Sequence, residues 1–253
     1  MRCVRFEEQG RARIGFIDGD VIRAVYGSID TYWRVTDEGF PLAGAKLLAP
    51  CVPKQIICVG FNYRDHAREF HVDVPKEPAL FTKAAHTVIG NDGKIIYPRQ
   101  SHEVVYEAEL GVVIKKRMKD VAPEDVPDYI LGYTCANDVT ARDLQLSDVQ
   151  WLGGKSFDTF CPLGPWLETD LDPTDLSIKL YLNGQLKQNG RTSDMVYNPY
   201  EILSYISQSM TLDAGDLILT GTPMGCGPML PGDEVVVEIE GIGKLRNEVV
   251  KGY

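Results

Sequence analysis

Apolar positions along this chain fall mainly in short runs or in alternation with polar ones, the period-2 signature of strands, and turn-forming residues separate the runs. CVRF, ARIGFI and VIRAVY, the last two divided by Asp18-Gly19-Asp20, predict a small β-meander or a pair of hairpins within the first fifty residues. Pro50 and Pro53 lead into IICVG, a short buried strand ending at Gly60. This divides the chain into a small β-rich amino-terminal region, 1–50, and a larger domain, 51–253.

Helical signals are few. FNYRDHAREFHVDVPKEP has room for a turn or two of helix beginning near Asp65, before Pro75 and Pro78 close it. PEDVPDYILGY, from Pro123 to Tyr133, resembles a short helix with Pro123 and Glu124 suited to its first turn. NPYEILSYISQSM is the clearest amphipathic helix, with Pro199, Ile202, Leu203, Ile206 and Met210 on one face as core residues. Asn91-Asp92-Gly93 predicts a tight turn before KIIYP, and Asn183-Gly184 between alternating runs predicts a hairpin. GDLILTGTP and GDEVVVEIEGIGKLRNEVV again read as β. The inventory is α+β and strand-rich, without regular βα alternation.

One run departs from the apolar pattern. VVYEAELGVVI, residues 104–114, sets Glu107 and Glu109 into hydrophobic sequence with no positive charge between them. As a strand it places Val104, Tyr106, Ala108, Leu110, Val112 and Ile114 on one face, and Val105, Glu107, Glu109, Gly111 and Val113 on the other. The two carboxylates then point the same way, with Cα atoms about 6.6–7 Å apart, so they can converge on one small cation. A half-buried strand whose second face meets water also fits the alternation, although valines flank the pair.

Composition narrows the chemistry. A net charge of −10 argues against nucleic acid or an anionic membrane as partner and leaves a small acidic substrate, met by local Arg, Lys or metal. No apolar stretch reaches spanning length and MRCVRFEEQG has no signal-peptide core, so a cytoplasmic protein is expected. The six cysteines form no CxxC pair and predict free thiols. The four histidines form no HxH or HxxxH pair, which leaves oxygen as the ligand for any metal.

Further candidates lie downstream. In YTCANDVTARDLQ, Asp138, Arg142 and Gln145 share a face if Asp138 opens a helix, and Asp138 as a helix N-cap is the alternative. WLGGKSFDTFCPLGPW offers Lys155 behind two glycines. DLILTGTPMGCG is a Gly- and Thr-rich turn whose N–H groups and hydroxyls suit a carboxylate, without the spacing of a phosphate loop. Cys226, Trp151 and Trp166 read as packing residues.

Taken in order, FNYRDHARE, YEAEL, GYTCANDVTARDLQ, GKSFDTFCPLGPW, NGQLKQNGRTSDM, TGTPMGCG and GIGKLRNEV resemble the fumarylacetoacetate hydrolase family over roughly residues 56–250. The match is to its shorter branch, which includes acylpyruvate hydrolases and 2-hydroxyhepta-2,4-diene-1,7-dioate isomerases. The resemblance implies a mixed β-sandwich roll, commonly a homodimer, with Glu107, Glu109 and Asp138 as ligands of Mg²⁺ or Mn²⁺, Ca²⁺ being a third option. It also implies Arg142, Gln145 and Lys155 along the substrate, Thr222 in the turn that meets it, and His66 with Glu69 as a water-activating pair. The chain departs from the usual pattern after Lys83, where FTKAAHTV lacks the common proline, and at Cys226, where valine is frequent.

The expected reaction is hydrolysis of the C3–C4 bond in an acylpyruvate-type 2,4-dioxo acid through a metal-bound enolate. His66 would take a proton from the attacking water while Lys155 and Gln145 stabilise the oxyanion. Tautomerisation or decarboxylation of oxaloacetate, or isomerisation of a dienedioate, would use the same equipment. A non-catalytic binding protein whose metal staples loops is the reading from another class.

Overall fold

Residues 104–114 form two strands, not one. In the computed structural model, which describes residues 1–27 and 33–252, Val104–Tyr106 and Ala108–Ile114 belong to different sheets and the chain crosses between them at Glu107. Ala108–Ile114 lies inside a twelve-stranded mixed sheet, antiparallel to Ile130–Asn137 on one side and Leu217–Leu219 on the other. Val104–Tyr106 is the middle strand of a three-stranded sheet, between Thr140–Ala141 and Gly227–Pro228.

The neighbouring segment makes the same crossing. It runs from Ile130–Asn137 in the large sheet to Thr140–Ala141 in the small one, with Asp138 between them. The pair Ala108–Asn137 ends one ladder and Val105–Thr140 begins the next, so Glu107 and Asp138 stand at one seam. Backbone N–H groups released at the crossing are taken by buried side chains. Glu107 N donates to Asn137 Oδ1 and Ala108 N to Gln188 Oε1, both at 2.9 Å.

Burial on both faces explains why the run is so apolar. Val104, Tyr106, Ala108, Leu110, Val112 and Ile114 all enter the main core, with Ile178, Leu180 and Val237 of a five-stranded sheet and Ile202, Leu203 and Ile206 of a helix. On the other face Val113 joins a second core with Ile56, Cys58 and Leu163, and neither glutamate is more than 4% exposed. The half-buried strand facing water is therefore excluded.

The amino-terminal strands Arg2–Glu8, Arg11–Asp18, Val21–Gly27 and Trp33–Pro41 form a meander, and Arg2–Glu8 pairs antiparallel with Cys161–Glu168 to extend the large sheet. The Asn183-Gly184 hairpin joins Ser177–Leu182 to Gln185–Arg191, both turn residues having positive φ. Among the described residues four α-helices punctuate the strands: α1 (Arg64–Glu69), α2 (Arg142–Ser147), α3 (Leu152–Lys155) and α4 (Pro199–Ser209). Asn198 caps α4 by accepting from Tyr200 N and Glu201 N, and its apolar face is buried as its period requires.

Two local expectations are corrected. The helix over 123–133 is a 3₁₀ segment, Pro123–Tyr129: Pro127 has no N–H to donate, and Ile130 already begins a strand. Asp138 neither opens nor caps a helix, because Thr140 and Ala141 stay extended to pair with Val105 and Val104, and α2 starts only at Arg142. Among the described residues no helix is long and apolar enough to cross a membrane.

Candidate active site

The seam gathers three carboxylates. Glu107, Glu109 and Asp138 each offer an oxygen within 4.8 Å of the others, and all three are buried. Cations meet two of them directly. Lys155 Nζ donates to Glu107 Oε2 at 2.8 Å and to Asp138 Oδ2 at 2.7 Å, Arg142 donates to Glu107 Oε1 at 2.6 Å, and Lys83 Nζ reaches Asp138 Oδ1 at 2.6 Å. Burial alone would raise the Glu107 carboxyl, but Lys155 and Arg142 overcome it and hold its pKa down at about 2.

Glu109 is different. Its one hydrogen bond among the described residues comes from Gly221 N at 2.6 Å, in the turn that was expected to serve a carboxylate. Burial, reinforced by the charges of Asp138 and Glu107, pushes its pKa well above the ordinary range. A buried carboxylate without a cation partner, beside two further hard oxygen donors, fits a divalent cation of the Mg²⁺, Mn²⁺ or Ca²⁺ kind.

The local sequence explains how Lys155 arrives. It ends α3, which presses against α2 at Gly154. A Cβ at Gly154 would lie 2.7 Å from Gln145 N and 2.9 Å from Ala141 O, so the approach requires glycine. On α2, Arg142 and Gln145 are i,i+3 neighbours, both buried, and the guanidinium donates to Gln145 Oε1.

His66 stands on α1 with its Nδ1 3.1 Å from Glu69 Oε2. Its ring packs between Phe61, with centroids 5.8 Å apart, and Phe70, at 4.9 Å. His66, Arg142, Gln145, Lys155 and Thr222 line one recess with Glu107 and Glu109, about 330 Å³ including its mouth. Thr222 Oγ1 accepts from Gln188 Nε2 at 2.8 Å. The two remaining candidates lie outside this lining: Asp138 is buried under Lys155, whereas Glu69 is exposed and meets His66 Nδ1.

Lys155, expected along the substrate, lines the recess and at the same time lies across Glu107 and Asp138. Two packing assignments need correction. Trp151 is not simply a packing residue, since with Phe61 and Phe81 it walls the recess. Cys226 is not one either: its sulfur accepts from Arg142 at 3.5 Å and it lies beside His66 and Glu69. Lys83 was missed as a site residue. Its signal is the alternation in ALFTK, where Phe81 and Lys83 share the buried face and Thr82 points out, an unusual place for a lysine without a partner.

A strand-rich fold carrying a buried hard-oxygen cluster beside a carboxylate-backed histidine in one recess has the makings of an enzyme site. The chain belongs to the fumarylacetoacetate hydrolase family: the fumarylacetoacetate (FAA) hydrolase C-terminal model matches residues 55–250, and an Rv2993c-like N-terminal model matches residues 1–50. The chain is 43% identical over 237 residues to the fumarylacetoacetate hydrolase domain-containing protein 2 homolog of Dictyostelium discoideum, covering 85% of this chain and 78% of that one. It is 42% identical over 260 residues to the mitochondrial oxaloacetate tautomerase FAHD2B of Bos taurus, covering 98% and 79%. The crystal structure of 2-hydroxyhepta-2,4-diene-1,7-dioate isomerase from Mycobacterium marinum superposes with a TM-score of 0.92 at 41% identity, covering 99% of this chain and 98% of that one. The protein is thus an enzyme of a family whose members generally depend on a divalent metal.

Proposed function

We propose that the enzyme interconverts the keto and enol forms of a compact 2-oxo dicarboxylic acid, oxaloacetate being the first candidate. The observation that carries this is His66: Glu69 holds one ring nitrogen, the other has no hydrogen-bond partner among the described residues, and the side chain lines the recess shared with Glu107 and Glu109. A base so placed moves a proton between carbon and solvent without further equipment. The small, largely polar recess suits a four-carbon acid, and the 42%-identical relative named as an oxaloacetate tautomerase supports the choice.

Glu107, Glu109 and Asp138 would hold Mg²⁺ or Mn²⁺, which when bound supplies Lewis-acid polarisation of the 2-oxo and carboxylate oxygens. Arg142 retains N–H donors beyond those given to Glu107, Gln145 and Cys226, and these suit the far carboxylate of the substrate. Lys155 has one N–H left after Glu107 and Asp138, available to an oxygen that gains charge. The aromatic wall of Phe61, Phe81 and Trp151 keeps water from the carbon that exchanges its proton.

Hydrolysis of an acylpyruvate is the second reading. It is favoured by the same Glu69-backed imidazole, since such a pair also suits a base that draws a proton from water. Stopped-flow decay of the ultraviolet absorbance of freshly dissolved oxaloacetate enol, with Mg²⁺ present, tests the first reading against the second. Acceleration that is lost in His66→Ala, with 2,4-dioxo acids left intact, is the expected result. Cleavage of 2,4-dioxo acids without faster enol decay would replace tautomerisation by hydrolysis.

A further inference from the structure

Beside the three carboxylates a second and chemically different group of ligating side chains converges. A ring nitrogen of His66, a carboxylate oxygen of Glu69 and Sγ of Cys226 lie within 4.8 Å of one another. They come from distant parts of the chain, α1 and the turn leading into Gly227–Pro228. Where the first cluster is all hard oxygen, this one is nitrogen, oxygen and sulfur, the set that suits Zn²⁺ with a fourth position open to solvent.

The arrangement is built into the fold. Gly225 N donates to both oxygens of Glu69, at 3.1 and 3.3 Å, and so ties the Cys226 turn to α1. Gly225 has φ +95°, and a Cβ there would meet Lys187 O at 2.5 Å, so only glycine gives the turn this shape. His66 is 6% exposed and one of its ring nitrogens has no partner among the described residues. Of the six free cysteines Cys226 alone is not buried, which makes it the thiol that an ion from solvent can reach. Burial and the Glu107 charge push the Cys226 thiol up to about 12, with Arg142, which donates to the sulfur at 3.5 Å, acting against them; an ion must therefore displace the thiol proton itself, and the guanidinium charge opposes a bare cation.

We propose that His66, Glu69 and Cys226 form a thiolate-containing site for Zn²⁺ or a similar borderline ion, and that filling it silences the enzyme. Binding forms a metal–sulfur bond, releases the thiol proton to solvent and changes no oxidation state. The bound ion also takes an imidazole lone pair. The silencing rests on His66 being the base, as proposed above, whereas the binding does not.

Co²⁺ titration of the full-length protein in excess Mg²⁺ reads the site directly, because cobalt–thiolate charge transfer absorbs in the near ultraviolet and carboxylate ligation does not. The band is expected in the wild-type protein and not in Cys226→Ala, whose folding is checked by circular dichroism. Zn²⁺ affinity should fall at least about tenfold in the variant, the scale on which metal sites respond to loss of a partner. Zn²⁺ should suppress enol decay in the wild-type protein and leave the variant's own rate in place. No band in the wild-type protein, or a band that survives Cys226→Ala, overturns the site. A band accompanied by full turnover at saturating Zn²⁺ upholds the site and overturns His66 as the base.

Discussion

Glu109 accepts 2.6 Å from Gly221 N and has no cation against it, whereas Glu107 and Asp138 are each clasped by two cationic side chains. Lys155 and the Gly221 N–H offset only part of the burial and like charge around Glu109, and a proton or a metal ion relieves the rest. Glu109→Gln keeps the shape and deletes the charge. Mn²⁺ affinity, read by calorimetric titration, should fall by more than the roughly 10–100-fold typical of losing an outer partner. The thermal midpoint in EDTA should hold or rise, since repulsion has been removed.

The same carboxyl makes metal binding pH-dependent. Its folded pKa lies well above the ordinary 4.5, so in the metal-free protein its stabilising contribution is complete below that value and is lost as pH climbs through the raised one. A cation binds the ionised form, so Mn²⁺ affinity should increase with pH over that window, with a proton released on binding. Calorimetry in buffers of different ionisation enthalpy counts that proton. An uptake, or no exchange below neutral pH, contradicts the assignment.

Lys83 is wholly buried at its ammonium end, on Asp138 Oδ1 at 2.6 Å and Val139 O at 3.0 Å. Lys83→Met removes one of the two cations on buried Asp138 and leaves Lys155 alone against it, a loss that should approach but not exceed the roughly 3–5 kcal/mol of breaking a buried pair outright. Denaturant unfolding with EDTA should show that loss, and Mn²⁺ should restore part of it by supplying the missing charge. Equal losses with and without Mn²⁺ would separate Lys83 from the metal cluster.

Strand character was legible wherever side chains alternate or burial runs continuously, and the faces of 104–114 could be assigned from period alone because a strand allows no other choice. What sequence could not show was the change of sheet at Glu107. Nothing in VVYEAEL marks it; the stabilising groups, Asn137 and Gln188, lie far along the chain. The same nonlocal pairing keeps Thr140 and Ala141 extended and delays α2 until Arg142, which defeats a local helix rule at Asp138. The place of Lys83 in the site, and the contacts that take Cys226 beyond packing, are not legible because their partners are assembled only by the fold.

Glu69 offers the sharpest test of how His66 works. Its carboxylate meets Nδ1 of His66 at 3.1 Å and accepts from Gly225 N, so it both orients the ring and offsets the charge that a protonated ring would carry. Glu69→Gln preserves a hydrogen bond to the ring and its size, but removes the charge. If His66 accepts a proton during the reaction, the variant should lose kcat for enol decay by about 10-fold or more, with KM and Mn²⁺ affinity little changed. His66→Ala should lose about 10²-fold or more on the usual scale for a general base. Acylpyruvate cleavage, measured on the same samples, adds the discrimination: a loss of cleavage in both variants that exceeds the loss of enol decay would make water activation the pair's main task. Should Glu69→Gln raise KM alone and leave kcat untouched, the pair would be a substrate-binding element and the proton would have to move through another group.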